Sequence, residues 1–82
     1  MKVVKQYKTF NKETGEIRID CKVVEKTHFD ESQTYFQLIQ NGEMQFESNK
    51  IEEVIDYYEK LKQMDYYLAS SLEYYEVYTV IY

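Results

Sequence analysis

The stretch "TYFQLIQNGEMQFESNKIEEVIDYYEKL" (residues 34–61) decides the fold class, because the spacing of its apolar residues changes part-way along. Its first half places Asn-Gly, residues 41–42, between two runs rich in aromatic and β-branched residues, which is typical of a β-hairpin. Its second half has the period of an α-helix, with an apolar stripe made of Ile51, Val54, Ile55, Tyr58 and Leu61. The stretch therefore predicts a hairpin followed by an amphipathic helix.

The register of this hairpin depends on its turn. A two-residue Asn-Gly turn would place Phe36 opposite Glu47, and so mix apolar and charged residues on each face. A type I turn with a glycine bulge would instead place Leu38 opposite Met44 and Phe36 opposite Phe46. Because a slip of one residue moves every side chain to the other face, we predict the bulged register, in which these four apolar residues share a face.

The helix has clear signals for its start and weaker ones for its end. Ser48 or Asn49 can cap the first turn, and Glu52 follows Asn49 by three residues, as in a capping box. After a break near Asp65, a residue type suited to a second N-cap, the apolar stripe could be extended by Met64, Leu68 and Leu72.

Another hairpin precedes this stretch. Gly15 supplies the left-handed position of a four-residue loop, residues 12–15, which pairs Phe10 with Ile17. The strand after the loop alternates, with an apolar face predicted at Ile17, Ile19, Cys21 and Val23. The strand before it, Val3–Phe10, carries several lysines, which is typical of an edge strand protected against aggregation.

The C-terminal stretch Tyr74–Tyr82 consists almost entirely of aromatic and β-branched residues, so we expect a further strand there. The predicted fold class is α+β: a small antiparallel sheet of four to five strands, from two N-terminal hairpins and this C-terminal strand, covered on one face by one or two helices. Residues 1–82 are expected to form a single domain, since this length is near the lower limit for a self-sufficient core.

The composition favours a soluble cytoplasmic protein from an AT-rich genome. The single cysteine allows no internal disulfide, which favours a reducing compartment, and no apolar run has membrane-spanning length. Phe, Tyr, Met, Ile, Asn and Lys supply 35 residues, whereas Gly, Ala, Arg and Pro supply 4. Because the first group has AT-rich codons, base composition explains part of the abundance of tyrosine.

Charge is divided unevenly along the chain. Residues 1–28 carry seven Lys/Arg and four Asp/Glu, whereas residues 29–82 carry three and eleven. A protein with a net charge of −5 and one arginine, Arg18, is poorly suited to bind phosphate backbones. The asymmetry therefore bears on protein partners.

Residues that commonly carry catalysis or bind metals are scarce. His28 is the one histidine, and without a positioned partner we expect it to be a surface loop residue. Cys21 falls on the predicted apolar face, where a thiol fills space. No Cys or His pair has metal-ligand spacing, and both glycines belong to hairpins rather than to a phosphate-binding loop. We expect no catalytic, metal or cofactor site, and so no enzyme.

Tyrosine doublets follow a carboxylate three times, at residues 56–58, 65–67 and 73–75. Neighbouring residues diverge by about 100° on a helix and point to opposite faces of a strand. We therefore expect one tyrosine of each doublet to be buried and the other exposed, with Tyr58 in the core and Tyr57 at its margin.

The outer surface of the helix is predicted to be acidic. Glu52, Asp56 and Glu59 fall within an arc of about 60°, and lysines four and three residues on, Lys60 and Lys62, can pair with the last two. Carboxylates beside exposed tyrosines suit a basic partner, since tyrosine recurs at binding hot spots. The residues predicted to bind a partner are Glu52, Asp56, Tyr57, Glu59, Asp65, Tyr66, Glu73, Tyr74, Glu76 and Tyr78.

These features suggest a non-enzymatic acidic protein-binding module. Size, composition and the lack of catalytic residues favour an inhibitor from a phage or mobile element, which occupies the basic, nucleic-acid-binding surface of a host defence or nucleic-acid enzyme as a DNA mimic would. An acidic helix face that is merely solvated is the competing interpretation, because such faces are common.

Two other functions remain open. The first is a homo-oligomeric structural or accessory protein, whose C-terminal strand packs against its copy. The second is a nucleic-acid binder that uses the basic N-terminal strands, with Tyr7 stacking on bases, although the net charge disfavours it. The lysines of that surface would be Lys2, Lys5, Lys8, Lys22 and Lys26.

Overall fold

A computed structural model describes the backbone of residues 2–30, 33–68 and 72–78, and the side chains of residues 2–30 and 33–65. The elements are β1 (Lys2–Asn11), β2 (Ile17–Thr27), β3 (Thr34–Gln40), β4 (Glu43–Ser48), α1 (Ile51–Leu68) and β5 (Leu72–Tyr78). The strands form one antiparallel sheet in the order β4-β3-β2-β1-β5, with α1 packed on one face. The predicted α+β class is confirmed.

Strand β1 lies inside the sheet, so its predicted place at the edge is wrong. It pairs with β2 on one side and with β5 on the other, where the backbone of Tyr7 lies opposite that of Glu76. The prediction failed because one lysine of β1, Lys5, has another role. Lys5 is mostly buried, and its ammonium group contacts α1.

The loop between β1 and β2 has the predicted form. The N–H of Asn11 donates to the carbonyl of Glu16 at 2.9 Å, and Gly15 has a φ of 76°. The side-chain oxygen of Asn11 accepts from the N–H groups of Glu13 and Thr14, at 2.8 and 3.1 Å. The loop therefore forms its own hydrogen bonds, as Asn commonly does in turns.

A bulge beyond this loop divides the predicted apolar face of β2. Phe10 pairs with Ile17 whereas Thr9 pairs with Ile19, so Arg18 is an extra residue in β2. Because successive pairs alternate between faces, Ile17 lies on the face away from α1, where it is 57% exposed. The prediction was wrong for Ile17. It is confirmed for two fully buried residues of the face, Cys21 and Val23.

The turn between β3 and β4 consists of two residues. Gln40 pairs with Glu43, and both turn residues have positive φ, 51° at Asn41 and 84° at Gly42. Two positive φ values define the turn that matches the twist of a hairpin. Asn41 also joins the turn to β2: its N–H donates to the carbonyl of Asp20 at 2.8 Å, and its side-chain oxygen accepts from the N–H of Asp20 at 2.9 Å.

The predicted register of this hairpin is wrong. Ile39 pairs with Met44 and Leu38 with Phe46, so the extra residue is Gln45 within β4 and not a glycine in the turn. Asn-Gly sets the turn, and the bulge then brings Phe46 to the face that α1 covers. The bulge in β4 is therefore what places Phe46 on the core side, and neither of the two registers considered from the sequence included a bulge within the strand.

The side chain of Ser48, one of the two predicted caps, lies just before the start of α1. The hydroxyl of Ser48 accepts from the N–H of Lys50 at 3.1 Å and donates to the carboxylate of Glu53 at 3.0 Å. Ser48 thus contacts the residue before the helix and a side chain of its first turn rather than a backbone N–H of the helix, and the capping box predicted between Asn49 and Glu52 is not observed. The helix begins at residue 51, directly after these contacts.

Helix α1 continues to Leu68, so the break predicted near Asp65 is wrong. The carboxylate of Asp65 does not cap a second helix; it accepts a hydrogen bond from the hydroxyl of Tyr7. Met64 is 51% exposed and Leu72 belongs to β5, so neither extends the apolar stripe as predicted. No helix in the described part of the chain is long and apolar enough to span a membrane.

The core lies between α1 and the sheet. Tyr58 of α1 meets Tyr7 of β1 edge to face, with ring centroids 5.4 Å apart, a favourable geometry for aromatic pairs. The predicted stripe of α1 is confirmed, since its members are buried or pack against the buried cluster. That cluster consists of Val4, Tyr7, Cys21, Val23, Leu38, Val54 and Tyr58.

Candidate protein-binding surface

Three exposed carboxylates, Glu52, Glu53 and Asp56, lie on the first two turns of α1. We call them the acidic helix start. Glu52 and Glu53 belong to the first turn, where unpaired backbone N–H groups favour negative charge. The helix therefore tolerates a concentration of carboxylates at this end, and their exposure leaves them accessible to a cationic partner.

Asp56 forms the predicted ion pair with Lys60, with an N–O distance of 3.1 Å. The two side chains are 68% and 75% exposed. Exposed pairs of this kind contribute little to stability, because water screens them and both side chains lose freedom. A cation on a partner could replace Lys60 at small cost, so the pair does not remove Asp56 from the surface.

Glu59 differs from the acidic helix start, because the protein's own lysines hold it. Its carboxylate lies 2.7 Å from the ammonium of Lys5 on β1 and 2.9 Å from that of Lys62 on α1. Partial burial alone would raise the pKa of Glu59, but hydrogen bonds and charge from Lys5 and Lys62 outweigh it and lower the pKa. Glu59 therefore ties the helix to the sheet, and is not one of the freely exposed carboxylates expected there.

The first tyrosine doublet divides as predicted. Tyr58 is fully buried, whereas Tyr57 is 39% exposed. The ring of Tyr57 stacks on that of Phe46 from β4, with centroids 5.3 Å apart and planes 8° from parallel. The stack fixes an accessible aromatic ring beside Asp56, its neighbour on the helix. A ring held in place loses little freedom on binding, which suits a contact residue.

Asp65 lies in a partly buried polar cluster rather than on the outer surface. It accepts a hydrogen bond from Tyr7, and burial together with this carboxylate raises the pKa of the Tyr7 hydroxyl well above its ordinary value. Burial also raises the pKa of the adjacent Cys21 thiol to about 12. The thiol therefore stays protonated at neutral pH, a form that is a poor nucleophile.

The other five predicted contact residues are placed by backbone alone. Tyr66 belongs to α1, and the other four lie on β5, an edge of the sheet. Their side chains lie outside the described residues, as do residues 79–82 of the predicted strand. The expectations for Tyr66, Glu73, Tyr74, Glu76 and Tyr78 therefore stay predictions.

Two exposed features were missed by the sequence reasoning. Phe29, in the connection between β2 and β3, is completely exposed at the same end of the sheet as the helix start, and lines an open depression with His28. Strand β4, at the edge of the sheet, exposes Glu43, Met44 and Glu47. The charge of β4 was visible in the sequence, but its edge position depends on how distant strands pair.

The basic surface expected of a nucleic-acid binder is not formed as predicted. Tyr7 is fully buried, so it cannot stack on a base. Lys5 contacts Glu59, and Lys2 lies 3.9 Å from Glu25. Three of the five lysines follow the alternation of β1 and β2 onto the face away from α1, where each is partly buried: Lys8, Lys22 and Lys26.

Comparison with known proteins does not assign a family. No family model, no curated protein and no solved structure matches this chain. Among the side chains that the structure describes, those of residues 2–30 and 33–65, no group of His, Cys, Asp and Glu is arranged to hold a metal ion. The chemistry that these residues do present is that of exposed carboxylates beside an aromatic stack.

Proposed function

We propose that the protein is a non-enzymatic acidic module that binds a basic surface of another protein through the acidic helix start and Tyr57. The observation that carries this proposal is the combination of three exposed carboxylates with a ring that is stacked and still accessible. Carboxylates pair with Arg and Lys of a partner, and the tyrosine ring buries apolar area at small entropic cost.

The partner class follows from the same chemistry. Basic surfaces large enough to receive several carboxylates occur on proteins that bind nucleic acid. We infer that the module occupies such a surface and so inhibits the protein that carries it, a host defence or nucleic-acid enzyme. The abundance of residues with AT-rich codons supports an origin in a phage or mobile element. Electrostatic attraction would also speed association at low ionic strength.

The test compares two variants with the same change in charge. E52K/D56K reverses the charge of two of the three residues of the acidic helix start. E13K/E16K reverses the charge of two exposed residues of the first loop. Each variant is immobilised and used to capture partners from the source host, and the captured proteins are identified by mass spectrometry. We expect a basic protein retained by the wild type and by E13K/E16K, and lost from E52K/D56K.

Both variants must first unfold at temperatures close to that of the wild type. E59K is unsuitable for this purpose, because a lysine beside Lys5 and Lys62 would destabilise the fold. Retention of the same partner by E52K/D56K would remove the helix start from the interface. Adding nucleic acid to the captured complex should release the partner if its nucleic-acid-binding surface is the one occupied.

A further inference from the structure

Strand β4 is an edge of the sheet that remains open to pairing. It pairs with β3 on one side, and no other strand in the described part of the chain lies on its outer side. The backbone N–H and C=O groups that point outward along such an edge can pair with a strand from another molecule.

The charge of β4 is unusual for an exposed edge. Proteins commonly protect edge strands with lysine, but β4 carries Glu43 and Glu47, and no Lys or Arg occurs from residue 29 to residue 49. Glu47 accepts a hydrogen bond from the amide of Gln37 at 2.7 Å. The edge thus repels an acidic strand and attracts a basic one.

Apolar groups lie next to these carboxylates on both faces of the edge. On the face that α1 covers, Phe46 stacks on Tyr57, on the same side of β4 as Glu43. On the other face, Met44 is 54% exposed on the same side as Glu47. Each face therefore offers one carboxylate and one apolar group to the alternating side chains of an added strand.

We propose that the outer edge of β4 binds an extended basic segment of the partner by strand addition. This inference rests on the proposed function and names the element that the partner contributes. Main-chain hydrogen bonds supply attraction, while Lys or Arg beside Glu43 and Glu47, with apolar side chains beside Met44 and Phe46, supply selectivity. The bulge at Gln45 limits continuous pairing to short stretches on either side of it.

A second copy of this chain is a poor occupant of the same edge. Antiparallel pairing of β4 with its copy would bring four glutamates, Glu43 and Glu47 of each chain, to one seam. Like charges across a strand pair are destabilising. A basic segment turns the same two residues into attractive contacts, so charge complementarity favours it.

The test uses a short peptide of lysine, threonine and valine and two N-methylated forms of it. The methyl groups occupy every second residue in one form, which keeps one edge able to donate hydrogen bonds, and every residue in the other form, which keeps none. Binding is measured by titration and by the NMR shifts of the β4 amides. We expect the unmodified peptide and the alternately methylated form to bind, and the fully methylated form to bind at least about tenfold more weakly, because several main-chain bonds are lost.

Variants of the protein complete the test. E43K/E47K should bind the peptide at least about tenfold more weakly, whereas E13K/E16K should bind as the wild type does. Equal binding of the two methylated forms, loss of both, no binding of the unmodified peptide, or shifts confined to other strands would overturn the inference. So would a dimer of the protein whose shifts map to β4, because the occupant would then be a second copy.

Failure of this inference is distinguishable from failure of the proposed function. A partner that is captured by E43K/E47K and lost from E52K/D56K would contradict strand addition and support the acidic helix start. A partner captured equally by both variants would contradict the proposed function. Loss from both variants, with capture by E13K/E16K, is the result that both proposals expect.

Discussion

Tyrosine serves two purposes in this protein, and its local environment decides which. Tyr58 and Tyr7 fill the core, where the hydroxyl of Tyr7 is bonded to Asp65. Tyr57 occupies the position next to Tyr58 on the helix but lies outside the core. Its ring stacks on Phe46, and 39% of its surface is exposed. The helical period predicted this division. It did not predict the bond to Asp65, because β1 and the end of α1 are distant in sequence.

The hydroxyl of Tyr7 should contribute to stability. Tyr7→Phe removes the donor to the partly buried Asp65 carboxylate and keeps the ring, so we expect a loss of about 1.5–3 kcal/mol in the free energy of unfolding. Urea denaturation followed by circular dichroism measures it. Tyr57→Phe is the matched control, which should change the free energy by less than about 0.5 kcal/mol. Equal effects of the two changes would contradict a role for the bond.

Among the elements, the β3–β4 hairpin shows what sequence reasoning can and cannot give. Asn41-Gly42 indicated a hairpin correctly, since both residues adopt the positive φ that this dipeptide favours. The register failed because the bulge at Gln45 is not determined by the turn. It depends on where α1 packs, which brings Phe46 rather than Met44 to the core. The bulge at Arg18 escaped prediction for a similar reason.

Asn41 should contribute to the stability of the fold through both its backbone conformation and its side chain. Asn41→Ala replaces a residue that tolerates a φ of 51° with one that tolerates it less, and removes the acceptor of the Asp20 N–H, so we expect a loss of about 1–3 kcal/mol. Asn41→Gly relieves the backbone and still lacks the acceptor, so it should lose less. Thermal unfolding measures both changes, with Asn49→Ala as the control. If Asn41→Gly lost as much as Asn41→Ala, backbone conformation would not be a cause.

Across the whole molecule, opposite charges are used in different ways. The first strand was predicted to be an edge, yet β1 lies inside the sheet and Lys5 is used internally, on Glu59. The acidic part of the chain forms the helix start and the β4 edge, where most carboxylates stay exposed. The distribution of charged residues predicted this asymmetry, and the spacing of apolar residues predicted the fold class. Strand order could not be predicted, because β5 returns to β1 across some 60 residues of chain.

The contact between Glu59 and Lys5 predicts part of the pH dependence of folding. The pKa of Glu59 is lowered in the folded protein, so its contribution is present above the ordinary glutamate pKa and is lost as pH falls through the lowered value. We expect Glu59→Gln to lose less stability than the wild type between neutral and acidic pH, as measured by urea denaturation across that range. Glu13→Gln, in the exposed first loop, should follow the wild type. Parallel profiles for wild type and Glu59→Gln would contradict the assignment.

The most direct measurement of the central claim is an NMR footprint of the captured partner on the isotopically labelled protein. We predict that shifts and line broadening concentrate on residues 43–57, which include β4, the acidic helix start and Tyr57. A footprint confined to the N-terminal strands, residues 2–27, with residues 43–57 unchanged, would contradict the claim that the protein binds its partner through its exposed carboxylates.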